Sequence, residues 1–319
     1  MQKTEKQQTA KNRQEVLKDL TEQLEKSIQE FMQGDRYKSF LMQMSKLHDY
    51  SLNNQLLIAS QRPDATLCAS YSTWKKNNRN VKRGEKGIRI ICPSFHKVQA
   101  LQDVKDPQTG KPEYLPNGKV KKEIVEKVIP FYKVGVTFDI SQTEGEPLTE
   151  IASELKGSLD SRQNELKEAL LEISPVPVYF QPVSGEANGY YDLTKKEIVV
   201  DNNLSEKHSL KTLVHELAHS LIHDTDIPDA PRDSQTREVQ AESIAYVVCQ
   251  YFGLDTSEYS FGYISTWSSG KDTQELKNSL EIIRNTSNDI ISKVEQKLTK
   301  TDSLKQAENI SAIPKRKCM

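Results

Sequence analysis

Leu213-Val214-His215-Glu216-Leu217-Ala218-His219-Ser220-Leu221 is the stretch that decides the fold of the second half of this chain. His215 and His219 stand four residues apart, so on a helix both imidazoles leave one face about one turn from each other. That spacing suits two ligands of a tetrahedral Zn²⁺, and Glu216 between them is placed to polarise a water. Leu213, Val214, Leu217 and Leu221 supply an apolar face, and no Gly or Pro interrupts the segment from Leu210 to Ile222. The chain has only six histidines, and chance gives this pattern in roughly one such sequence in a hundred. The competing reading is an amphipathic helix with two satisfied histidines.

A two-histidine site needs a third protein ligand. Residues Thr236 to Val248 read as a second helix, with Ala241, Ile244, Ala245 and Val248 recurring at three- and four-residue steps. Glu238 and Glu242 are four apart and share a face. The arrangement resembles that of zincin metallopeptidases, in which a Glu of the following helix completes the coordination. An acid one turn later then orients a ligating histidine. By that resemblance Glu238 is the third ligand and Glu242 the orienting carboxylate; since both face the same way, the roles can be exchanged. Pro228, Asp229, Pro231 and Asp233 make a turn-rich connection that lets the second helix fold back on the first. Upstream, Ala187 to Leu193 and Lys195 to Val200 read as a hairpin with its turn at Asp192 to Lys196. In zincins such an edge lies above the metal cleft and can pair with an extended substrate; an ordinary structural hairpin has the same signature.

With 319 residues the chain has room for two domains, and 28% charged residues with a mean hydropathy of −0.68 describe a polar, globular protein. No apolar run reaches a membrane span, and the polar start from Met1 to Arg13 is no signal peptide. Cys68, Cys92, Cys249 and Cys318 show no paired spacing, so they read as reduced thiols in a cytoplasmic protein. The net charge of −1 conceals an asymmetry. Tyr71 to Lys133 carries 15 Lys+Arg against 6 Asp+Glu, whereas Phe138 to Ser260 carries 9 against 23. Opposite signs in adjacent segments point to two domains with different partners, the first a polyanion.

Along the chain, Val16, Leu17, Leu20, Leu24, Ile28 and Phe31 form a helical stripe within residues 11–32, and a second helix is expected over about 36–47. A short helix at Tyr71 to Lys76 precedes a strand at Gly87 to Cys92. Val104 to Lys122 reads as a long loop, and Ile129 to Phe138 as a strand. Ser141 to Thr149 is the expected linker, Ile151 to Ile173 the first helix beyond it. Asp272 to Leu298 is a long helix, and 299–319 is expected to be a disordered tail.

Tyr50 to Ile58, Tyr71-Ser72-Thr73-Trp74-Lys75 and Val81 to Ile88 resemble the N-terminal domain of ArdC-type antirestriction proteins, above all the LtrC-like members from conjugative elements of Gram-positive bacteria. Tyr263-Ile264-Ser265-Thr266-Trp267 resembles a segment that follows the metal helices in that family. The resemblance covers roughly residues 10–300 and implies an α+β chain. It places a mixed α/β single-stranded-DNA-binding domain over 10–140 and a zincin-like metallopeptidase domain over 150–298. It further implies protection of incoming DNA during conjugation. The Lys-rich loop from Val104 to Lys127 is longer than in bacterial ArdC, so contacts there are not carried over.

Single-strand sites combine a basic groove with aromatic platforms. Lys75, Lys76, Arg79, Lys82, Arg83, Lys86 and Arg89 supply charge, and Trp74, Tyr71 and Phe95 are candidate platforms, although a tryptophan such as Trp74 is more often a core residue. Gly84 and Gly87 suit a turn into the strand; a plain charged turn is the alternative there. Three functional readings remain open. One is a DNA-binding zinc peptidase holding one Zn²⁺ on His215, His219 and Glu238, with Glu216 as base acting on a protein or peptide. Another is a non-catalytic DNA-protection protein with a structural metal. The third is a regulatory peptidase that cleaves a repressor, as the zincin-like ImmA/IrrE proteins are thought to do. Tyr190, Tyr191, His223, Tyr246 and Tyr263 are the candidate oxyanion donors.

Overall fold

The computed structural model describes residues 2–147 and 159–311, apart from Asp229, Arg232, Asp255, Glu258 and Ser260, with side chains described over 15–147 and 163–300. The first half runs α1 (Gln2–Phe31), α2 (Gly34–Lys46), α3 (Leu52–Gln61), β1 (Cys68–Ala69), α4 (Tyr71–Lys76), β2 (Arg79–Val81), β3 (Ile88–Asp103), β4 (Lys122–Asp139) and β5 (Thr143–Gly145). The second runs α5 (Leu159–Ile173), β6 (Val178–Gln181), β7 (Gly189–Asp192), β8 (Glu197–Asp201), α6 (Glu206–Ile222), α7 (Ser234–Tyr251), α8 (Ile264–Ser268) and α9 (Thr273–Ser311). Helices and small sheets alternate in blocks, the α+β class. The start of the helix expected from Ile151, part of the expected linker, the end of the tail and Cys318 lie outside the described residues. Among the described residues no helix is long and apolar enough to cross a membrane.

Contacts divide the chain into two units, residues 1–21 with 89–136 and residues 22–88 with 137–319. In the first, β3 and β4 form a two-stranded arm far longer than the two short strands expected. The segment expected as a loop is its tip, folded on itself by bridges Lys105↔Pro112 and Tyr114↔Val120. The arm was hard to read because much of its apolar surface is not buried: Phe95, Leu101, Ile124, Val128 and Tyr132 are all exposed. No inward face therefore impresses a clean alternation on the sequence.

In the second unit, α2 packs on α7 and α3 on α9. Tyr37 Oη lies 2.7 Å from Ser243 Oγ, and Arg284 Nε donates to the Tyr50 carbonyl at 3.0 Å. Packing thus crosses the expected linker. Part of that linker is itself structured, because β5 pairs antiparallel with β2. Asp139 ties this region together. Its carboxylate accepts from Thr66 N (2.7 Å), Leu67 N (3.1 Å), Ser141 N (2.9 Å) and Ser141 Oγ (2.6 Å) while only 1% exposed. Burial pushes this carboxyl up, but the bonds from Ser141, Thr66 and Leu67 outweigh burial and hold it below the ordinary 3.8. The folded-state value is depressed, so the stabilisation is complete above the ordinary value and is lost as pH falls through the lower folded one. Asp139→Ala is expected to cost about 2–4 kcal/mol in urea unfolding at pH 7; a loss under about 1 kcal/mol contradicts this account of the buried carboxylate.

The sheet beside the metal helices has the order β6-β8-β7. The expected hairpin is present, with Gly189↔Val200 and Asp192↔Glu197 in antiparallel register. Asp192 Oδ1 accepts from Thr194 N and Lys195 N to close the turn. β8 is central and buried through Ile198, Val199 and Val200, so it packs on both faces. β6 lies parallel to it. Gly189 is required where β7 meets α6: a Cβ there would lie 2.7 Å from Thr212 Cγ2 and 2.7 Å from the Val199 carbonyl. Any side chain would lift the strand off the helix that carries the histidines.

Candidate metal centre

α6 starts where the Ser205 hydroxyl accepts from His208 N, and α7 where Asp233 accepts from Thr236 N. The two helices pack together, burying Leu213, Val214, Leu217, Val239 and Ala241. That packing brings Glu238 against the histidines. His215 Nε2 and His219 Nε2 are 3.1 Å apart, with Glu238 Oε2 3.4 Å from the first and Oε1 3.5 Å from the second. A tetrahedral ion with bonds of about 2.0–2.1 Å has ligand–ligand edges of about 3.3 Å. The three edges fit that figure, so the three atoms are spaced to share one cation. The donor set of two nitrogens and one carboxylate suits a divalent metal.

The electrostatics agree. The hydrogen bonds to His215 and His219 hold Glu238 well below the ordinary carboxylate range. Burial works to lower His215, but Glu238, Glu216 and Glu242 outweigh it and raise the group. Glu216 is 7% exposed, and burial pushes its carboxyl up against the pull of His215 and His219. The backbone of Tyr191 on β7 also lowers it, to a smaller extent. Glu242 is also raised by burial. It lines the cleft on the His215 side with Asn188, Lys211 and Tyr259. Among the described residues no hydrogen bond joins Glu242 to a histidine.

Another residue touches the ligand set instead. His223, at the exit of α6, is buried, with Nδ1 3.0 Å from His219 Nδ1 and Nε2 2.9 Å from Gln240 Oε1. Burial lowers its pKa to about 4. The four-residue step from His219 to His223 was visible in sequence; the Gln240 contact, made across two helices, was not. Arg237 also went unremarked and lines the cleft with Tyr190, His219, His223 and Glu238. Of the other candidate oxyanion donors, Tyr191 Oη donates to Asp224 and Tyr246 is buried at 1% exposure. Tyr263 Oη is buried without a hydrogen-bond partner among the described residues and feels Glu242 and Glu238. Tyr190, on β7, is partly exposed and faces the cleft.

The side chains of the basic segment divide between core, bracing and exposed roles. Trp74 is 2% exposed and donates Nε1–H to the Phe138 carbonyl at 2.8 Å, so it is a core residue and no stacking platform. Indole burial outweighs exposure here because the ring closes α4 onto the end of β4. Arg79 donates to Thr143 Oγ1, the Thr143 carbonyl and the Glu146 carbonyl, and Lys82 Nζ to the Ser141 carbonyl. Both therefore brace the β2–β5 pair. Lys75, Lys76, Arg83, Lys86 and Arg89 are exposed. Gly84, at φ +90°, makes the expected turn. Tyr71, on the same helix as Lys75 and Lys76, is 55% exposed.

Fold and site together define a chain with a zincin-like, metallopeptidase-type second half. Residues 10–138 match the profile of the N-terminal domain of anti-restriction factor ArdC, and residues 172–286 that of the IrrE N-terminal-like peptidase domain. The chain thus joins an ArdC-type N-terminal domain to an IrrE-type N-terminal-like domain, in that order. It is 26% identical over 330 residues to an uncharacterized protein of Bacillus anthracis, a match covering 93% of this chain and 54% of that protein. The chain thus spans about half the length of that relative. It is also similar to the antirestriction ArdC protein of the R388 plasmid. The metal-free crystal structure aligns at a TM-score of 0.46 and 19% identity, over 79% of this chain and 86% of the other. The Mn(II)-bound one aligns at 0.44 and 17%, over 78% and 85%.

Proposed function

We propose that this chain is a DNA-protection protein of a conjugative element that holds single-stranded DNA and hydrolyses a peptide bond at a zinc centre. In this reading His215, His219 and Glu238 hold one Zn²⁺ per chain, Glu216 is the general base and Glu242 a supporting carboxylate. One observation carries it: the ligand triangle with edges of 3.1–3.5 Å, beside a buried carboxylate that a purely structural metal does not need. Zinc bound there supplies Lewis acidity, which polarises a carbonyl and makes water a nucleophile at neutral pH. Glu216 accepts the proton of the attacking water and passes it to the leaving amine. Its raised pKa suits both transfers. β7, the outer strand of its sheet, offers an edge for an extended peptide. Tyr190 and Arg237, on the wall of the same cleft, supply the donor and the positive charge for a developing oxyanion. Replacing Glu216 separates catalysis from a structural metal.

Lys75, Lys76, Arg83, Lys86 and Arg89 are the phosphate contacts in this reading, with Tyr71 as stacking platform. Arg83→Glu with Lys86→Glu removes two exposed charges and leaves the bracing bonds of Arg79 and Lys82 intact. Single-strand affinity is expected to fall, and the salt slope of log K to become shallower by about 1.4, two contacts at about 0.7 each. Fluorescence anisotropy with a labelled oligonucleotide between low and moderate salt measures both. Unchanged affinity and slope would remove this segment from the interface. The match of residues 172–286 to the IrrE N-terminal-like domain favours one other reading, a regulatory peptidase acting on a repressor. It is recognised by cleavage of a specific protein, with DNA serving only as stimulus.

A further inference from the structure

A buried chain of side chains leads away from His219. His219 Nδ1 faces His223 Nδ1 at 3.0 Å, His223 Nε2 faces Gln240 Oε1 at 2.9 Å, and Gln240 Nε2 donates to Ser279 Oγ on α9 at 2.9 Å. His223, Gln240 and Ser279 are each under 5% exposed. Each link constrains the next. Gln240 turns its NH₂ to Ser279, so the oxygen it turns to His223 only accepts, and His223 Nε2 carries a hydrogen. Enclosed with imidazole and amide partners, His223 stays neutral and has a lone pair at Nδ1. Two lone pairs 3.0 Å apart would repel, so His219 Nδ1 carries the hydrogen and donates it. A neutral imidazole with its hydrogen on Nδ1 has its lone pair on Nε2. That is the atom facing His215 and Glu238.

We propose that His223 is a positioning residue for the metal centre: braced by Gln240 and Ser279, it fixes His219 as the Nδ1–H tautomer and presents Nε2 to a divalent cation. The proposal rests on the ligand reading of His215, His219 and Glu238. Reversed order along the chain would put a hydrogen on His219 Nε2, aimed at the ion's place. Ser279 lies 39 residues from Gln240, so the orientation of one ligand is set by a third helix. Metal ligands commonly depend on such a partner for the other ring nitrogen.

Two measurements test it. Zn²⁺ affinity, by competition with a chromophoric chelator, is expected to fall about 10–100-fold in His223→Phe, which offers no acceptor. His223→Asn places an amide oxygen near the position of Nδ1 and is expected to stay within about threefold of wild type. A folded His223→Phe with wild-type affinity overturns the proposal. So does a folded His223→Asn that loses tenfold or more, and this variant decides alone if His223→Phe fails to fold. ¹⁵N NMR of the metal-free full chain is the second measurement, with Nδ1–H expected on His219 and Nε2–H on His223; the opposite tautomers overturn it. Should the wild type bind no Zn²⁺, the ligand reading fails, while the tautomers still decide whether the relay exists.

Discussion

Glu216→Gln is expected to reduce peptide-bond hydrolysis by about 10²–10⁴-fold while leaving metal content and fold unchanged. Gln has nearly the same shape and fits the same buried place on α6. What the amide cannot do is take a proton from water and return it to an amine. The carboxyl is well suited to that task, since burial raises it while His215 and His219 keep it ionisable. Two readouts belong together: release of new N-termini from a peptide library, and protection of unmodified incoming DNA in a mating assay. Loss of both makes hydrolysis the protective activity. Survival of protection in the variant would instead make the metal structural and the base dispensable.

Glu238→Ala is expected to weaken Zn²⁺ binding by more than about 100-fold, beyond the 10–100-fold typical of residues that merely support a ligand. His215→Ala should be at least as severe. Glu242→Ala should cost less than either, because its carboxylate stands outside the triangle that closes on Glu238. Equilibrium competition with a chelator ranks the three. If Glu242→Ala proved the most damaging of the carboxylate changes, the two acids would exchange roles, as their shared helix face permits.

The pairing of His215 with His219 was legible because one helical period places both on a single face, and the 213–221 segment has nothing to break the helix. The hairpin ending in β8 was legible from its turn at Asp192 to Lys196. Which of Glu238 and Glu242 comes closest to those histidines was not, since a four-residue step leaves both on the same side and only the approach of α7 to α6 brings Glu238 against them. β6 escaped notice: Val178–Gln181 is four residues long between Pro177 and Pro182, and is a strand through its pairing with β8. The partner of Trp74 was not readable from its neighbours, because the Phe138 carbonyl that takes its N–H lies 64 residues away. For the same reason Gln240 and Ser279 carried no signal; their roles exist only once three helices have packed. The bonds of Arg79 and Lys82 to backbone carbonyls on the Ser141 to Glu146 segment likewise carried no sequence signal.

Extended X-ray absorption at the zinc edge, on full chain loaded with one equivalent of Zn²⁺, addresses the metal centre directly. The account predicts a first shell of nitrogen and oxygen alone at about 2.0–2.1 Å, with outer-shell scattering from two imidazoles that falls to one in His215→Ala. A sulfur shell at about 2.3 Å, or a wild-type spectrum without imidazole scattering, would contradict it.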